Sequence, residues 1–301
     1  MMHSHTSVAD KRKSFRDLLA GPSIIQMPGA FNPLSAKIIE RQGFSAVYIS
    51  GAVISAELGL PDIGLTTLTE VSARAQQISR VTDLPTLVDA DTGFGEAINV
   101  ARTVQVMEDA GVSGMHIEDQ VNPKRCGHLD GKAIVDLPTA LQRLRAAVDS
   151  RRDPNFLIVA RTDARTVVGF KETLERATAL VDAGADAIFP EALASLDEFE
   201  QLCKKVDVPV IANMTEFGKT ELYTATELER VGVKIVIYPV SLLRLAMGAT
   251  VRGLETLAAE GKLSSAIPQM QTRADLYDVL DYESFNRFDS EVFNFTVATS
   301  N

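Results

Sequence analysis

The chain has 301 residues, of which 46% are hydrophobic and 23% are charged, so it can bury a large core. A formal net charge of −10 argues against nucleic acid or an anionic membrane as a partner, and an anionic substrate would need local cations. The apolar runs are shorter than the roughly 18 residues of a membrane span, and the polar start lacks a signal peptide's apolar segment. Two cysteines are too few for a disulfide framework, which favours the reducing cytoplasm.

Residues 1–21 are predicted to form a loose arm and a short helix at about residues 14–20. From residue 22 to residue 262, eight short apolar segments alternate with amphipathic helical patterns. In chain order the segments are GPSIIQMPG, RQGFSAVYIS, LPTLVDAD, DAGVSGMHIE, DPNFLIVARTD, DAGADAIFPE, VPVIANMT and RVGVKIVIYP. Four contain, near their start, a glycine that suits a left-handed helix C-cap: Gly43, Gly111, Gly184 and Gly232. Short β-rich runs separated by such helices are typical of βαβ units and a parallel sheet.

Eight such units in about 240 residues predict an α/β fold of the TIM type, a single (β/α)8 barrel domain over residues 1–301. A doubly wound open sheet is the alternative, but no GxGxxG motif follows the first strand to support it. After the eighth strand the pattern becomes helical, and residues 263–301 form a tail with the phenylalanine-rich stretch FNRFDSEVFNF. We expect this apolar tail to pack on its own barrel or on a neighbouring subunit.

Polar or charged side chains end nearly every predicted strand. In a barrel, these positions and the loops that follow them form the active site. The residues are Ser50, Asp89, Asp91, Glu118, Arg161, Glu191, Asn213 and Thr215, with Arg244 just after the eighth strand. A barrel that served only as a scaffold would not require this pattern, so the sequence predicts an enzyme.

Asp89 and Asp91 are the candidate metal ligands. They are two residues apart at a strand end, so both carboxylates are expected to point the same way. Paired carboxylates suit Mg2+, which keeps several waters and accepts substrate oxygens. Glu118 and Glu191, which end strands four and six, could hold those waters. The alternative is that the two aspartates cap the following helix.

The loop HIEDQVNPKRCGHLDGK carries the candidate catalytic thiol, Cys126. Lys124, Arg125 and His128 surround it in sequence, and cationic neighbours lower the pKa of a thiol. Two glycines would let the loop close over a substrate. Zinc binding lacks a second ligand pair, and the local signatures of cysteine hydrolases are absent. An incidental surface cysteine is the remaining alternative.

Arg161, Arg244 and Arg273 are the candidate anion-binding residues. Arginine binds carboxylates through two parallel hydrogen bonds, so these residues and Mg2+ suit a di- or tricarboxylate. A phosphorylated substrate is disfavoured because the chain has no P-loop and no glycine-rich phosphate cup. A metal-bound 2-hydroxy acid can break a C–C bond, and a mobile thiol could protonate the departing carbanion.

Several motifs together resemble those of the isocitrate lyase/phosphoenolpyruvate mutase superfamily. They are KRCGH at 124–128, EDQ at 118–120, VDADTGFG, ARTDA, FPEA and NMTEFG. The similarity spans about residues 22–290 and is strongest to the 2-methylisocitrate lyases within the superfamily. It implies Mg2+-dependent cleavage of (2S,3R)-2-methylisocitrate to pyruvate and succinate, which closes the methylcitrate route of propionate breakdown.

The resemblance also assigns substrate contacts and metal ligands. The implied substrate contacts are Ser50, Gly51, Ala52, Cys126, Gly127, Arg161, Glu191, Asn213, Met214, Thr215, Arg244 and Arg273. Asp89 and Asp91 would hold the metal, with Asp62 and Glu118 supporting it through water. The family's barrels form homotetramers that exchange C-terminal helices, which would give the apolar tail its partner.

Catalytic roles follow from the same resemblance. Cys126 would be the general acid that protonates the succinate fragment, with Lys124 and His128 beside it on the loop. The base that removes the hydroxyl proton is less defined. Tyr48, two residues before Ser50 and so on the same side of the strand, is a candidate.

Several features separate the chain from isocitrate lyases proper, which are longer and generally read Lys-Lys-Cys-Gly-His. This chain reads Lys-Arg there, has no tryptophan, and places FPEA where those enzymes usually have a tryptophan. Extra room for the substrate methyl is the expected difference, although one methyl discriminates by only about 1–3 kcal/mol. Isocitrate cleavage and hydrolysis of oxaloacetate or another 2-oxo diacid stay open as alternative reactions.

Overall fold

The computed structural model of this chain describes residues 4–127 and 131–294. The strands in these ranges are β1 Ile25–Pro28, β2 Val47–Ile49, β3 Thr86–Asp89, β4 Gly114–Glu118, β5 Leu157–Thr162, β6 Ala187–Pro190, β7 Ile211–Asn213 and β8 Ile235–Tyr238. The α-helices are α1 Val8–Ala20, α2 Pro33–Arg41, α3 Gly51–Glu57, α4 Leu68–Ser79, α5 Ala97–Asp109, α6 Leu137–Ser150, α7 Phe170–Asp182, α8 Leu196–Lys205, α9 Ala225–Arg230, α10 Ser241–Glu260, α11 Arg273–Val279 and α12 Tyr282–Phe293. Two 3-10 helices span Ala164–Thr166 and Ser264–Gln269.

Every pair of neighbouring strands is parallel, and the strands form two sheets. The order is β2-β3-β4-β5-β6 in one sheet and β1-β8-β7 in the other. Single parallel bridges, Gly29 with Tyr48 and Ile188 with Val210, join the adjoining sheet edges. The carboxyl ends of the strands therefore lie at one end of the fold, where the predicted site residues belong. The prediction of a parallel-sheet α/β fold is confirmed.

The four glycines predicted to end helices all adopt a left-handed backbone. Their φ angles are +82° at Gly43, +79° at Gly111, +106° at Gly184 and +96° at Gly232. Glycine tolerates this conformation without strain, so the chain can leave each helix and enter the next strand within a few residues.

Two apolar layers surround the strands. The inner layer draws side chains from seven strands, among them Met27, Leu87, Val159 and Ile237. The outer layer packs the opposite strand faces against the helices. Helix α1 covers the amino ends of the strands by burying Phe15 in the inner layer. Burial on both faces explains why the strands read as nearly continuous apolar runs.

The N-terminal segment corrects the prediction of a loose arm and a helix from about residue 14. Helix α1 begins at Val8, because the Ser7 side chain accepts a hydrogen bond from the Asp10 N–H and so caps the helix. Upstream, the Asp83 carboxylate accepts hydrogen bonds from the Ser4 hydroxyl and the Thr6 N–H, at 2.6 and 2.8 Å. The polar residues that suggested a loose arm are those that dock it.

The C-terminal helices α10, α11 and α12 bury none of their described residues. Apolar side chains on them are exposed, including Leu245, Leu254 and Phe293. An ion pair joins Asp278 on α11 to Arg41 on α2. Residues 263–294, the described part of the predicted tail, are thus largely uncovered within a single chain, and residues 295–301 lie outside the described ranges. Among residues 4–127 and 131–294, no helix combines the length and apolar character needed to cross a membrane.

Candidate active site

A cavity of about 240 Å3 lies at the carboxyl ends of the strands. Predicted residues that line it are Tyr48, Ser50, Ala52, Asp62, Asp89, Cys126, Gly127, Arg161, Glu191, Asn213, Thr215 and Arg244. These residues come from β2, β3, β5 and β7, from the loops that follow the strands, and from the first turns of α3 and α10. The tertiary structure therefore assembles most of the predicted site in one place.

The two candidate metal ligands, Asp89 and Asp91, converge on the first turn of α3. The Gly51 N–H donates a hydrogen bond to Asp89 Oδ2 at 3.3 Å. A Cβ built on Gly51 would lie 3.0 Å from Asp89 Oδ2 and 3.4 Å from Asp91 Oδ1, so both carboxylates face the same point. Helix α5, which follows, is capped instead by Glu96 and Asn99. The alternative that the aspartates cap that helix is therefore excluded.

Lys124 lies with these carboxylates. Its ammonium is 2.7 Å from Asp91 Oδ1 and also pairs with Asp62. Burial raises the pKa of Asp91 to about 6, although the Lys124 charge opposes the shift. The Arg125 guanidinium donates to the Pro123 and Lys124 carbonyls of its own loop. Both cations thus have partners other than the thiol that the sequence suggested they would tune, and His128 lies outside the described residues.

The carboxylate cluster fits a hard divalent cation. One oxygen of Glu118, Oε1, is buried without a hydrogen-bond partner among the described residues, and burial raises the pKa of this carboxyl well above its ordinary value. No three His, Cys, Asp or Glu side chains within residues 4–127 and 131–294 form a complete ligand set. Carboxylates are the ligands that Mg2+ prefers, because it takes one or two of them and retains waters. Asp89 and Asp91 are the residues that would hold such an ion.

Arg161 is buried at the centre of the site. Its Nε lies 3.1 Å from both Glu118 Oε2 and Asp163 Oδ2, and its Nη2 lies 3.0 Å from Glu191 Oε2. The guanidinium also stacks over the Phe189 ring at 5.0 Å. The fork is therefore held in one orientation by carboxylates on neighbouring strands. Sequence reasoning missed the contribution of Phe189, although it noted the FPEA motif.

Arg244 borders the mouth of the cavity. Its Nη1 donates to Thr215 Oγ1 and pairs with Glu216 Oε2, both at 3.1 Å. The guanidinium lies over the Phe217 ring at 5.4 Å, and Ser241 holds Glu216 with a 2.6 Å hydrogen bond. Unlike Arg161, this arginine is partly exposed and can reach a ligand. Glu216 and Phe217 were not selected from the sequence, although NMTEFG contains them.

A buried histidine was also missed. His116 Nε2 is hydrogen-bonded to the Tyr48 hydroxyl at 2.7 Å, and His116 Nδ1 lies 3.7 Å from Asp89 Oδ1. Burial lowers the pKa of His116 to about 4 and raises that of Tyr48 well above its ordinary value. Both side chains are therefore neutral near pH 7. The available signal was position, since His116 precedes Glu118 by two residues on the same strand.

Comparison with known proteins agrees with this geometry. A sequence model of the phosphoenolpyruvate phosphomutase family matches residues 15–258, which include every strand. The chain belongs to this family. The resemblance to the isocitrate lyase/phosphoenolpyruvate mutase superfamily is confirmed, and with it the prediction of an enzyme.

Individual members of the family are similar over nearly their whole length. A Corynebacterium glutamicum protein described as a probable 2-methylisocitrate lyase 2 is 55% identical over 296 residues, which cover 98% of this chain and 96% of the relative. The solved structure of oxaloacetate acetylhydrolase with 3,3-difluorooxalacetate has a TM-score of 0.89 at 32% identity, covering 96% of this chain and 99% of that one. Phosphonopyruvate hydrolase with oxalate and Mg2+ has a TM-score of 0.85 at 26% identity, covering 94% and 99%.

Three residues of this chain that were predicted to contact the substrate do not line the cavity. Gly51 lies behind the aspartates, where its N–H holds Asp89. Met214 is buried in the outer apolar layer, and its sulfur accepts a hydrogen bond from the Tyr223 N–H at 3.2 Å. Arg273 begins α11 and is exposed. A role for Arg273 stays a prediction, because its helix belongs to the uncovered tail.

Proposed function

We propose that this chain is a Mg2+-dependent carbon–carbon lyase that cleaves (2S,3R)-2-methylisocitrate to pyruvate and succinate. The observation that carries the proposal is the convergence in one cavity of the Cys126 loop, two arginines (Arg161 and Arg244) and Asp89 at the end of β3. Identity of 55% to a probable 2-methylisocitrate lyase supports the choice of substrate and a place in the methylcitrate route. The same proposal includes a closed (β/α)8 barrel, which the bridges between the two sheet edges support.

Asp89 and Asp91 would hold Mg2+, and Asp62 and Glu118 would hold its waters. Bound there, the ion would stabilise negative charge on the hydroxyl and carboxylate oxygens of a 2-hydroxy acid. This assignment is supported by the convergence of the two aspartates and by the unpartnered Glu118 oxygen. The relative with bound oxalate and Mg2+ supports the use of a divalent metal.

The carboxylates of the substrate would be bound by the cationic and polar residues of the cavity lining. Arg244 offers an exposed part of its guanidinium, and the Asn213 and Thr215 side chains lie beside it in the lining. The Arg161 guanidinium already pairs with three carboxylates, so we expect only some of its N–H groups to orient the substrate. Cations placed locally in this way can bind a tricarboxylate despite the chain's net charge of −10.

The reaction breaks the bond between C2 and C3 of the substrate. A base takes the C2 hydroxyl proton, the oxygen forms the carbonyl of pyruvate, and the C2–C3 electron pair passes to C3 of the succinate fragment. Cys126 then gives its proton to C3, and the proton held by the base returns to the thiolate through solvent before the next turnover. Tyr48 is the candidate base on its position, because its hydroxyl lines the cavity and the 2.7 Å hydrogen bond to His116 Nε2 orients it.

Hydrolysis of oxaloacetate or another 2-oxo diacid is the second candidate function. It is supported by the TM-score of 0.89 to oxaloacetate acetylhydrolase. The hydrolase reaction would use the same metal and arginines but add water to a carbonyl. Isocitrate cleavage differs from the proposed reaction by one methyl, which is worth only about 1–3 kcal/mol of discrimination.

The deciding experiment offers purified protein 2-methylisocitrate, isocitrate and oxaloacetate in parallel, with Mg2+ or with EDTA. Pyruvate and succinate from 2-methylisocitrate, with the other substrates far poorer and EDTA abolishing turnover, is the expected result. Glyoxylate from isocitrate at equal efficiency would assign isocitrate cleavage. Oxalate and acetate from oxaloacetate, with no cleavage of 2-methylisocitrate, would overturn the proposal in favour of the hydrolase.

We propose further that the protein is a cytoplasmic homotetramer in which paired subunits exchange their C-terminal helical segments, residues 263–301. An apolar groove of about 280 Å3, lined by Ile38, Phe44, Tyr238 and Leu242 among others, lies beside the start of α10 and supports this arrangement. The uncovered apolar side chains of the tail have the complementary character, and a second copy supplies both surfaces. Exchange would also carry Arg273 to a neighbouring subunit. Neither cysteine forms a disulfide, which supports a reducing location.

A further inference from the structure

A lysine that sequence reasoning did not select connects the Cys126 loop to the end of β5. Lys132 Nζ donates hydrogen bonds to the Gly127 carbonyl oxygen and to Asp163 Oδ1, the latter at 2.7 Å. The Lys132 side chain is 2% exposed and that of Asp163 is fully buried. Because removing an ammonium from water is costly, this position is favourable only while both partners remain in place.

The Lys132 backbone is itself well anchored. Gln120 and Ile134 form an antiparallel bridge at the base of the loop. Next to it, the Val121 N–H donates to the Ala133 carbonyl oxygen at 2.8 Å. Lys132 precedes this paired base directly, and its side chain spans the loop from there. A hydrogen bond to Gly127 therefore ties the thiol-bearing part of the loop to its rigid part.

Both partners of Lys132 are in contact with Arg161. A Cβ on Gly127 would overlap the Arg161 guanidinium and the Glu191 carboxylate, so the loop backbone packs directly on them. From the other side, Asp163 Oδ2 accepts a hydrogen bond from Arg161 Nε at 3.1 Å. The Lys132 ammonium thus joins the Cys126 loop to the end of β5, and both of these segments contact the Arg161 guanidinium.

We propose that Lys132 is a positioning residue that holds Gly127, and with it the adjacent Cys126, against Arg161. Without the ammonium, the Gly127 carbonyl loses its donor and the loop is free to separate from the cavity wall. Arg161 would then be the remaining cation that pairs with Asp163. The unshared Asp163 carboxylate would attract the Arg161 guanidinium more strongly and draw it away from Glu191. The catalytic part of this inference rests on the proposed role of Cys126 as an acid, whereas the positional part does not.

The test compares Lys132→Met and Lys132→Arg with wild type by the rate at which iodoacetamide alkylates Cys126, read by peptide mass spectrometry. Cys203 serves as the internal reference, because burial raises its pKa to about 12. Loss of the bridge is expected to increase Cys126 alkylation about tenfold, because local opening then exposes the loop. Arginine, which keeps the charge, is expected to restore part of the protection.

Lys11→Met is the matched control. Lys11 is also a buried lysine whose ammonium donates to two carbonyls, those of Ser79 and Thr82, but at the amino ends of the strands. It is expected to lower Tm without changing Cys126 alkylation. Equal increases in Lys11→Met and Lys132→Met would overturn the proposal, because general destabilisation would then explain both.

The second measurement is the rate at which the Lys132 variants cleave 2-methylisocitrate. In Lys132→Met we expect kcat to fall about 100-fold, with KM changed much less, because the acid rather than the metal is displaced. If Lys132→Met does not fold, Lys132→Gln and Lys132→Arg carry the same comparison. Wild-type alkylation in the folded variants overturns the inference. If wild type itself fails to cleave 2-methylisocitrate, the proposed function fails while the alkylation rates still decide the role of Lys132.

Discussion

Lys124 on the loop after β4 and Asp91 in the turn after β3 form an ion pair of 2.7 Å. The same ammonium pairs with Asp62, and the Lys124 side chain is almost completely buried. The loop that carries Cys126 is therefore attached to the carboxylates that would hold Mg2+. Because breaking a buried pair leaves an uncompensated charge, loop position and carboxylate charge depend on each other.

Asp89→Asn is expected to remove the effect of Mg2+ on stability and on turnover. The amide keeps the size of the side chain but loses the charge that a hard cation requires. Thermal unfolding measures this directly, because Mg2+ that binds only the folded state raises Tm. Asp197→Asn, at an exposed position of α8, is the control and should retain the response. A wild-type Mg2+ shift in Asp89→Asn would remove it as a ligand.

Cys126→Ser is expected to fold normally and to lose cleavage by about 10²- to 10⁴-fold, the usual contribution of a positioned acid. A serine hydroxyl is nearly isosteric but a far weaker acid. Steady-state turnover and Tm are measured together. Cys203→Ser is the control, because Cys203 lies on α8 outside the cavity. Turnover close to wild type in Cys126→Ser would show that another group protonates the product.

Gly127→Ala is expected to reduce kcat/KM by about 10- to 100-fold, equivalent to an overpacking cost of about 1–3 kcal/mol. A Cβ there would overlap the Arg161 guanidinium and the Glu191 carboxylate, so the loop must move outward. Kinetics on 2-methylisocitrate measures the effect, and an unchanged Tm would show that it is local. Unaltered kinetics would mean that the loop does not pack on Arg161 during turnover.

Leu254→Asp is expected to shift the protein to a smaller oligomer. Leu254 is 60% exposed on α10, and burying a leucine in an interface contributes about 1.5–3 kcal/mol that a carboxylate would reverse. Light scattering after size-exclusion chromatography gives the mass. Glu255→Lys, at the adjacent exposed position, is the control. Retention of the wild-type mass in Leu254→Asp would place α10 outside the assembly interface.

Asp83 is expected to make stability depend on acid pH. Burial alone would raise the pKa of Asp83, but hydrogen bonds from Ser4 and Thr6 lower it from 3.8 to about 2. Because the folded-state pKa is the lower one, the stabilisation is present above about pH 4 and is lost as the pH falls toward 2. It amounts to about 1–2 kcal/mol after solvent screening.

Asp83→Asn tests this pH dependence. The Tm difference from wild type should be largest near pH 5 to 7 and should shrink between about pH 4 and pH 2. Asp10→Asn, which removes an exposed carboxylate at the start of α1, controls for the general effect of losing a negative charge near the N-terminal segment. A Tm difference that stays constant across this range would show that the Asp83 charge does not dock the arm.

Local patterns were sufficient for much of this protein. The eight apolar segments, the glycines such as Gly43 that end helices, and the spacing of Asp89 and Asp91 each depend on residues close in sequence. Backbone geometry within a few residues therefore determines them. The residues of the cavity could then be predicted as well, because parallel strands bring their carboxyl ends together at one end of the fold. The docked segment before α1 escaped this reasoning, since its partner Asp83 lies far along the chain.

Only the tertiary structure decided which groups the site's charges meet. In sequence, Lys124 stands beside Cys126, yet its ammonium crosses to Asp91 and Asp62. Lys132 reaches Asp163 over 31 residues, and Tyr48 reaches His116 over 68. Burial and charge in the folded protein determine the partners of long side chains, and neighbours in sequence do not constrain them. The sequence by itself therefore determined the chemistry available, and the packing of distant segments determined how it is arranged.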